Sequence, residues 1–526
     1  MSVLKTISDE TPKWFERVSD WANPILVKEA RQSLKSRQFV ITFLLLLAAS
    51  WLLSVFLMLI SKDSLEYGAM GGTFFMSYYI VLSVAIFLIV PFGAYRSLLT
   101  ERDQNTFDML SITTLKPRQI VWGKLWSALL QTFIYYSAIA PFIAFASLLQ
   151  GFDFTVATFM LAVSVLLSLG VSMLSLMFST LGRQRQWQTL MSLIVLAVLV
   201  IFLSYMIGMA VALPTFGGMT VDADFWWALA FSVIGGCSYF VLCRQITTAQ
   251  LTFASANHST GIRATCTAQF LLLWGSVFAY TLFTGVGWSH DEVFVLAVVS
   301  IVHFTVFGLF FATESDFLSR RIRRDLPRSG LVRLLITPYM PGGSRGLMYV
   351  LAHLSAVWLL AFALAPGGGS WPHNLHSGLA TTMGYVAFYL GIGTALARWG
   401  ESSTTMFRAS HARVITLLLI AAGCIGPWVI VAIAQFIDGM QSMFPSYGYS
   451  LIHISNPFVS LETVFDGESH SDEIQAIVAI ATFVVLLVNI RGMLRGVEQI
   501  VGAKVQARRP SDVALPALSE SPVEAS

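Results

Sequence analysis

The residues able to do chemistry in this chain are confined to short stretches between long apolar runs. The densest is 96–124, RSLLTERDQNTFDMLSITTLKPRQIVWGK. Arg96, Glu101, Arg102, Asp103 and Asp108 come early, then apolar Phe107, Met109, Leu110 and Ile112, and Pro117 closes the segment. Charge beside apolar surface suits a docking element, and a purely structural loop would need neither. The expectation is a short helix over about 101–112, lying along a membrane face, with Pro117 breaking the chain beyond it. A second stretch, 314–345, carries Arg320, Arg321, Arg323, Arg324, Arg328 and Arg333. Three readings stay open for this basic loop: it enforces topology, it binds anionic lipid at about 1 kcal/mol per residue, or it docks a protein. Nucleic acid is not expected, because no aromatic platform accompanies the basic run. A third stretch, 438–473, is acidic (Asp438, Glu462, Asp466, Glu468, Asp472, Glu473) and holds His453 and His470. It reads as a solvated face, with a cation or substrate gate as the rival.

Other chemistries lack their residues. No Gly-x-x-x-x-Gly-Lys-Ser/Thr occurs, and Gly123-Lys124 runs into Leu125 without a preceding glycine loop. Any ATP used must therefore be bound by another chain, and no cofactor, metal or catalytic residue is assigned here. Cys237, Cys243, Cys266 and Cys424 lie in or beside apolar runs, with no Cys-x-x-Cys, and read as packing residues. His303 and His353 fall inside apolar runs and read as hydrogen-bonded packing histidines rather than proton relays.

The elements that position these stretches follow from composition. The chain has 526 residues, 56% hydrophobic and 12% charged. Soluble domains carry roughly 25% charged residues, so a soluble enzyme, a disordered chain and a disulfide scaffold are excluded. Twelve runs approach the roughly 20 residues that a spanning helix needs: 39–60, 74–95, 125–149, 155–180, 187–213, 225–243, 267–287, 293–313, 346–366, 379–397, 414–437 and 474–490. They do not alternate as barrel strands would, so the fold class is all-α and polytopic, with about twelve transmembrane helices. The first run follows 38 mixed residues and does not read as a cleavable signal.

Alternate connecting segments hold 31 of the 32 Lys and Arg residues, and the other set holds Lys62 alone. By the positive-inside rule both termini are expected in the cytoplasm. The formal net charge of +3 is the residue of about +15 on one side and −12 on the other. Trp187 and Trp399 inside, with Trp226, Trp227 and Trp288 outside, fit interfacial belts. With these limits no Asp, Glu, Lys or Arg lies inside a span, which argues against an ion-driven transporter.

The expected organisation is an arm at 1–38, a six-span half at 39–243, a connector at 244–266, a second half at 267–490 and a disordered tail at 491–526. Glu101 with LSITTLKP and Glu314 with LLITPYMP recur six spans apart. They point to two parallel six-span halves, with chance likeness between apolar sequences as the rival. In the arm, Asn23 can cap a helix that Pro24 begins. Leu26, Val27, Ala30 and Leu34 share one face, with Lys28, Arg31 and Lys35 beside it. That pattern suits an amphipathic helix in the membrane interface; a solvated helix is the alternative.

These two segments resemble the permeases of type-2 ATP-binding-cassette (ABC) transporters. Glu101, Arg102, Thr106, Leu110, Thr113, Gly123 and Lys124 match the pattern after the second span. In the arm Asn23, Pro24, Lys28 and Glu29 match the family's interface helix. Asn105 stands where the family usually has Gly, Asp108 where it has Glu and Thr114 where it has Pro. The likeness covers roughly the first 250 residues.

The resemblance implies a multi-pass permease of the cytoplasmic (inner) membrane, an exporter, paired with cytosolic ABC ATPase subunits. The loop with Glu101, Arg102, Thr106, Asp108, Leu110 and Thr113 would dock in the ATPase and transmit its closure. Twelve spans would be two fused six-span units, or a second permease copy would complete the pore. Loop 438–473 corresponds to a place where the family carries re-entrant or outer structure. The second inner loop departs from the motif, so its ATPase docking stays open. A secondary transporter and a non-transporting scaffold remain rivals. A membrane glycosyltransferase would need more than the Asp63 and Glu66 of loop 61–73.

Overall fold

The structure is a computed structural model that describes residues 24–61, 68–103, 116–181, 185–212, 223–253, 256–285, 287–365, 374–403, 407–437 and 449–502. Among them are twelve helices long and apolar enough to cross a membrane, and no strand. The chain is an all-α polytopic membrane protein. Spans 1 to 6 are Arg37–Ile60, Gly71–Glu101, Pro117–Ser147, Phe154–Leu181, Trp187–Ala212 and Asp224–Gln250. Spans 7 to 12 are Thr260–Thr284, His290–Ala312, Gly343–Leu364, Leu375–Ser402, Ala409–Ile433 and Ser471–Val501. Each apolar run falls on one helix, and Trp187, Trp226 and Trp399 are exposed near helix ends.

The helices outrun the apolar sequence where Lys- and Arg-rich segments join them, hereafter the basic ends. Spans 2, 3 and 12 have 31 residues each. At 1.5 Å per residue that is about 46 Å, against a hydrocarbon core of about 30 Å. Pro117 does not break the chain before span 3. It is the first residue of that helix, where its missing N–H is no loss, and the Gln119 side chain accepts from the Lys116 N–H at 2.8 Å. The expectation of charge-free spans is likewise corrected. Lys124, Arg263 and Arg345 are buried, at the eighth, fourth and third positions of their helices. All three sit at the basic ends and none at mid-span.

Contacts divide the chain into two compact units between residues 253 and 254, with six spans in each. In unit 1, span 2 is central, and Phe74, Tyr78, Leu82, Ile86 and Phe87 are fully shielded. Span 4 packs against its second half, and Ser164, Ser168, Ser172, Ser175 and Ser179 along span 4 are all buried. Small residues at helical spacing let two backbones approach without a hydrophobic drive between them. Span 2 makes a π turn at Ala85–Ile89, and Ser168 Oγ donates to the Ile86 carbonyl in that turn at 2.8 Å.

In unit 2, spans 8, 9 and 10 form the centre. Span 9 starts so close to the end of span 8 that a Cβ on Gly346 would strike the Phe311 carbonyl. Thr267, Tyr349 and His353 form a buried polar cluster: His353 Nε2 is 2.9 Å from Thr267 Oγ1, and its Nδ1 is 2.8 Å from the Tyr349 carbonyl. His303 lies against Phe307 at 4.8 Å between centroids.

The segment between spans 11 and 12 is not a solvated loop over its described part. Residues Leu451–Ser455 make a 3-10 turn and Pro457–Asp466 a helix. Tyr385 and Tyr389, near the middle of span 10, donate to the Ile454 and Ser455 carbonyls at 2.7 and 2.6 Å. Asn456 Nδ2 donates to the Cys424 carbonyl, near the middle of span 11, at 2.8 Å. At the far end of the ten-residue helix, the Phe465 carbonyl accepts from the N–H of Asn374, just before span 10. The chain thus re-enters the bundle to about half the depth of the spans. Non-helical backbone is tolerated there because tyrosine and asparagine side chains meet its polar groups. Glu462 and Asp466 stay exposed, whereas His453 is buried against Trp428.

Candidate functional site at the basic ends of the spans

In unit 1 the arm helix is Pro24–Leu34, and it packs along the start of span 3. Leu26, Val27, Ala30 and Leu34 are half-buried, while Lys28, Arg31 and Lys35 are exposed. This division is the one the helical wheel predicts. Ser36 ends the arm and caps span 1, its Oγ accepting from the Phe39 N–H at 3.1 Å.

Three elements meet at Lys124. Its ammonium lies 3.0 Å from Glu29 Oε1 of the arm and 3.1 Å from Glu101 Oε2 at the end of span 2. Its side chain is 1% exposed, against 12% for Glu29 and 14% for Glu101. Ser97 Oγ takes a longer contact at 3.3 Å. Lys28 Nζ adds a 3.4 Å pair to Glu101 Oε1 from the exposed side. Two cations and two anions balance, which is the condition for holding charge out of water. Beside Lys124 opens a cleft of about 150 Å³, lined in part by Glu29, Ser33, Gln38, Ser97, Gln131 and Tyr135.

The structure therefore brings together Lys28, Glu29 and Glu101 with Lys124. Arg31 and Lys35 stay outside the cluster. Pro24 begins the arm helix. Arg102 is on the last turn of the helix that ends span 2, its side chain outside the described residues. Asn23, Thr106, Asp108, Leu110 and Thr113 lie outside the described residues, as does most of the expected 101–112 helix.

Unit 2 has a cluster at the same place in its own chain order. Arg263 is wholly buried. Its Nη1 donates to the carbonyls of Pro338 and Met340, both at 2.7 Å. Its Nη2 donates to Glu314 Oε2 at 2.7 Å and to the Gly342 carbonyl at 3.2 Å. The guanidinium also lies 5.0 Å over the Phe311 ring. Arg345, also wholly buried, donates to the Pro341 carbonyl, to Gln499 Oε1 at 2.9 Å and to the Asp316 carbonyl at 3.2 Å. Asp316 in turn accepts from the Ser344 N–H at 3.0 Å and hydroxyl at 2.7 Å. Glu101 and Glu314, paired by the sequence comparison, thus each hold a buried cation of their own unit.

Arg320, Arg321, Arg323 and Arg324 form a short helix capped by Ser319 and are all exposed. Sequence reasoning missed Arg263, Arg345, Asp316 and Asn456. The available signal was an isolated arginine within the first turn of a long apolar helix, where solvation alone could not hold it. The four cysteines are free. Among the described residues no group of three His, Cys, Asp or Glu side chains is placed to hold a metal.

Comparison with known proteins returned no matching family model, no matching curated protein and no matching solved structure. The fold and these two clusters define the class as a twelve-span, all-α membrane protein with buried ion pairs at the basic ends.

Proposed function

We propose that the chain is the membrane-spanning permease subunit of a type-2 ABC transporter, exporting its substrate and powered by a separate cytosolic ATPase. What supports this reading most is the Lys124 cluster. The arm and the segment after span 2 were singled out by separate motifs, and Lys28, Glu29, Glu101 and Lys124 from them share one ion cluster.

On this reading the basic ends face the cytoplasm of an inner membrane, and both termini lie there. The 101–112 segment docks on the ATPase. A pull on Glu101 acts on Lys124, and through it on the arm and span 3, because all three share that one ammonium. The spans then exchange access between the two faces. ATP does its work in the partner, and this chain needs only to bind substrate differently in the two states. The second unit, or a second copy, completes the pore.

The test is purification of the tagged full-length chain from its native membranes. An ATPase subunit should accompany it. Leu110→Ala should weaken that association at unchanged yield and monodispersity, and Glu101→Ala with Leu110→Ala should abolish it, with Glu101→Ala alone as the control for loss of the Lys124 pair. Retained binding in the double variant removes the coupling role. Stimulated ATP hydrolysis by the reconstituted pair separates a transporter from a scaffold.

A further inference from the structure

The connection between spans 8 and 9 is a folded module. Leu318, Ile322 and Leu326 pack with Ile500 of span 12 in a small core, joined at its edge by Ile336 and Met340. That core turns the residues between them outward. Arg320, Arg321, Arg323, Arg324 and Arg328 are all exposed, with Asp325 as the acid among them. Next in the chain is the helix Gly330–Ile336. Its Arg333 points inward, 5% exposed, where Nε donates to the Pro327 carbonyl at 2.6 Å and Nη1 to the Val501 carbonyl at 3.0 Å. Anchoring Arg333 sets the rotation of the helix. Leu331, Leu334 and Leu335, at i, i+3 and i+4, are thereby turned out and are 76%, 49% and 74% exposed. Phe317, at 76%, is exposed as well.

The burial pattern is inverted with respect to a solvated loop, since an arginine is buried and leucines are bare. We propose that this module is a lipid-binding element. The leucine stripe enters the membrane interface and the five arginines bind the headgroup phosphates of anionic phospholipid.

Two observations choose a lipid surface over a protein. The first is place. The tether from the leucine helix to span 9 is short, and Arg263 of span 7 holds its carbonyls at Pro338, Met340 and Gly342. The stripe is therefore kept beside the start of two membrane helices. The second is charge. Five exposed cations flank a bare apolar stripe, the combination by which a segment lies in the interface of an anionic leaflet. Guanidinium groups also match phosphate oxygens in bidentate geometry. The inference does not depend on the transport reading.

The test uses the full-length chain in nanodiscs of phosphatidylcholine alone, or with phosphatidylglycerol added. Hydrogen exchange is followed across 317–336. Exchange there should slow severalfold when phosphatidylglycerol is present, and high salt should reverse the effect. Arg320→Gln, Arg321→Gln, Arg323→Gln and Arg324→Gln together should abolish the lipid dependence, because each arginine contributes roughly fivefold in affinity. Exchange in 337–342 and in span 12 reports that the module is still folded. Leu331→Ser with Leu335→Ser should raise exchange in both lipids while leaving a phosphatidylglycerol effect. Equal exchange in the two lipids overturns the proposal. So does protection that follows an added protein partner and ignores lipid, which would make the stripe a protein-docking face.

Discussion

The basic ends of the two units hold buried cations in contrasting ways. In unit 1 a lysine is shared by two carboxylates on two separate elements. In unit 2 two arginines donate mainly to backbone carbonyls, with the Glu314 carboxylate on Arg263 and the Gln499 side chain on Arg345. An ammonium is a point charge on a flexible stem, whereas a guanidinium presents five donors in a rigid fork. A charge-only contact tolerates small shifts of its partners. A fork bonded to three carbonyls and a carboxylate does not. Unit 1 therefore ties elements together by side chains, and unit 2 locks a backbone. The backbone so locked is the 338–342 stretch before span 9, whose carbonyls at Pro338, Met340 and Gly342 all accept from Arg263.

The sharpest way to break this comparison is at Arg263. Arg263→Lys keeps the charge but cannot reach three carbonyls and Glu314 together. Loss of about 3–5 kcal/mol is expected, because each buried carbonyl left without a donor costs about 1–3 kcal/mol, read as an earlier unfolding midpoint in detergent. A variant as stable as the parent would show that charge, not the fork, holds the loop. Lys124→Met comes next. It leaves Glu29 and Glu101 facing each other and should cost about 3 kcal/mol. Adding Glu29→Gln should recover part of that loss, and a double-mutant cycle that shows simple additivity would deny that the two share one site.

Asn456→Ala tests how firmly unit 2 is held away from its basic end. It removes the cap on the Pro457–Asp466 helix and the bond to the Cys424 carbonyl. About 1–2 kcal/mol is expected, seen as faster hydrogen exchange over 451–466. Unchanged exchange there would mean that Tyr385 and Tyr389 hold the re-entrant segment alone. The smallest effect belongs to Lys28→Ala. That pair to Glu101 is 3.4 Å long and its lysine is 57% exposed, so no more than about 0.5 kcal/mol should be lost. A larger loss would make Lys28, rather than Lys124, the residue that holds the arm.

The legible part of the site was uneven. Lys28 stood out on the helical wheel of the arm, and Glu29, Glu101 and Lys124 through the motifs that carry the family resemblance. Their meeting did not, because it depends on the arm folding back on span 3, a contact between residues 95 positions apart in the chain. Arg263 read as one more topology charge in a connector. Only the wrapping of 338–342 around it makes it a clamp. Composition gave no mark of re-entry in Leu451–Asp466, because its apolar stretch is far shorter than a span; re-entrant or outer structure there was expected only from the family resemblance.

By itself the sequence determined the twelve spans and the segregation of Lys and Arg to one set of connecting segments. Lipid cannot satisfy a bare backbone or solvate a charge, so each span must declare itself in local composition. Which charges are buried, which carbonyls they hold and which leucines stay bare were decided only by tertiary structure. Those outcomes depend on partners distant in the chain, and a charge is stable out of water only where its partner has already been brought to it.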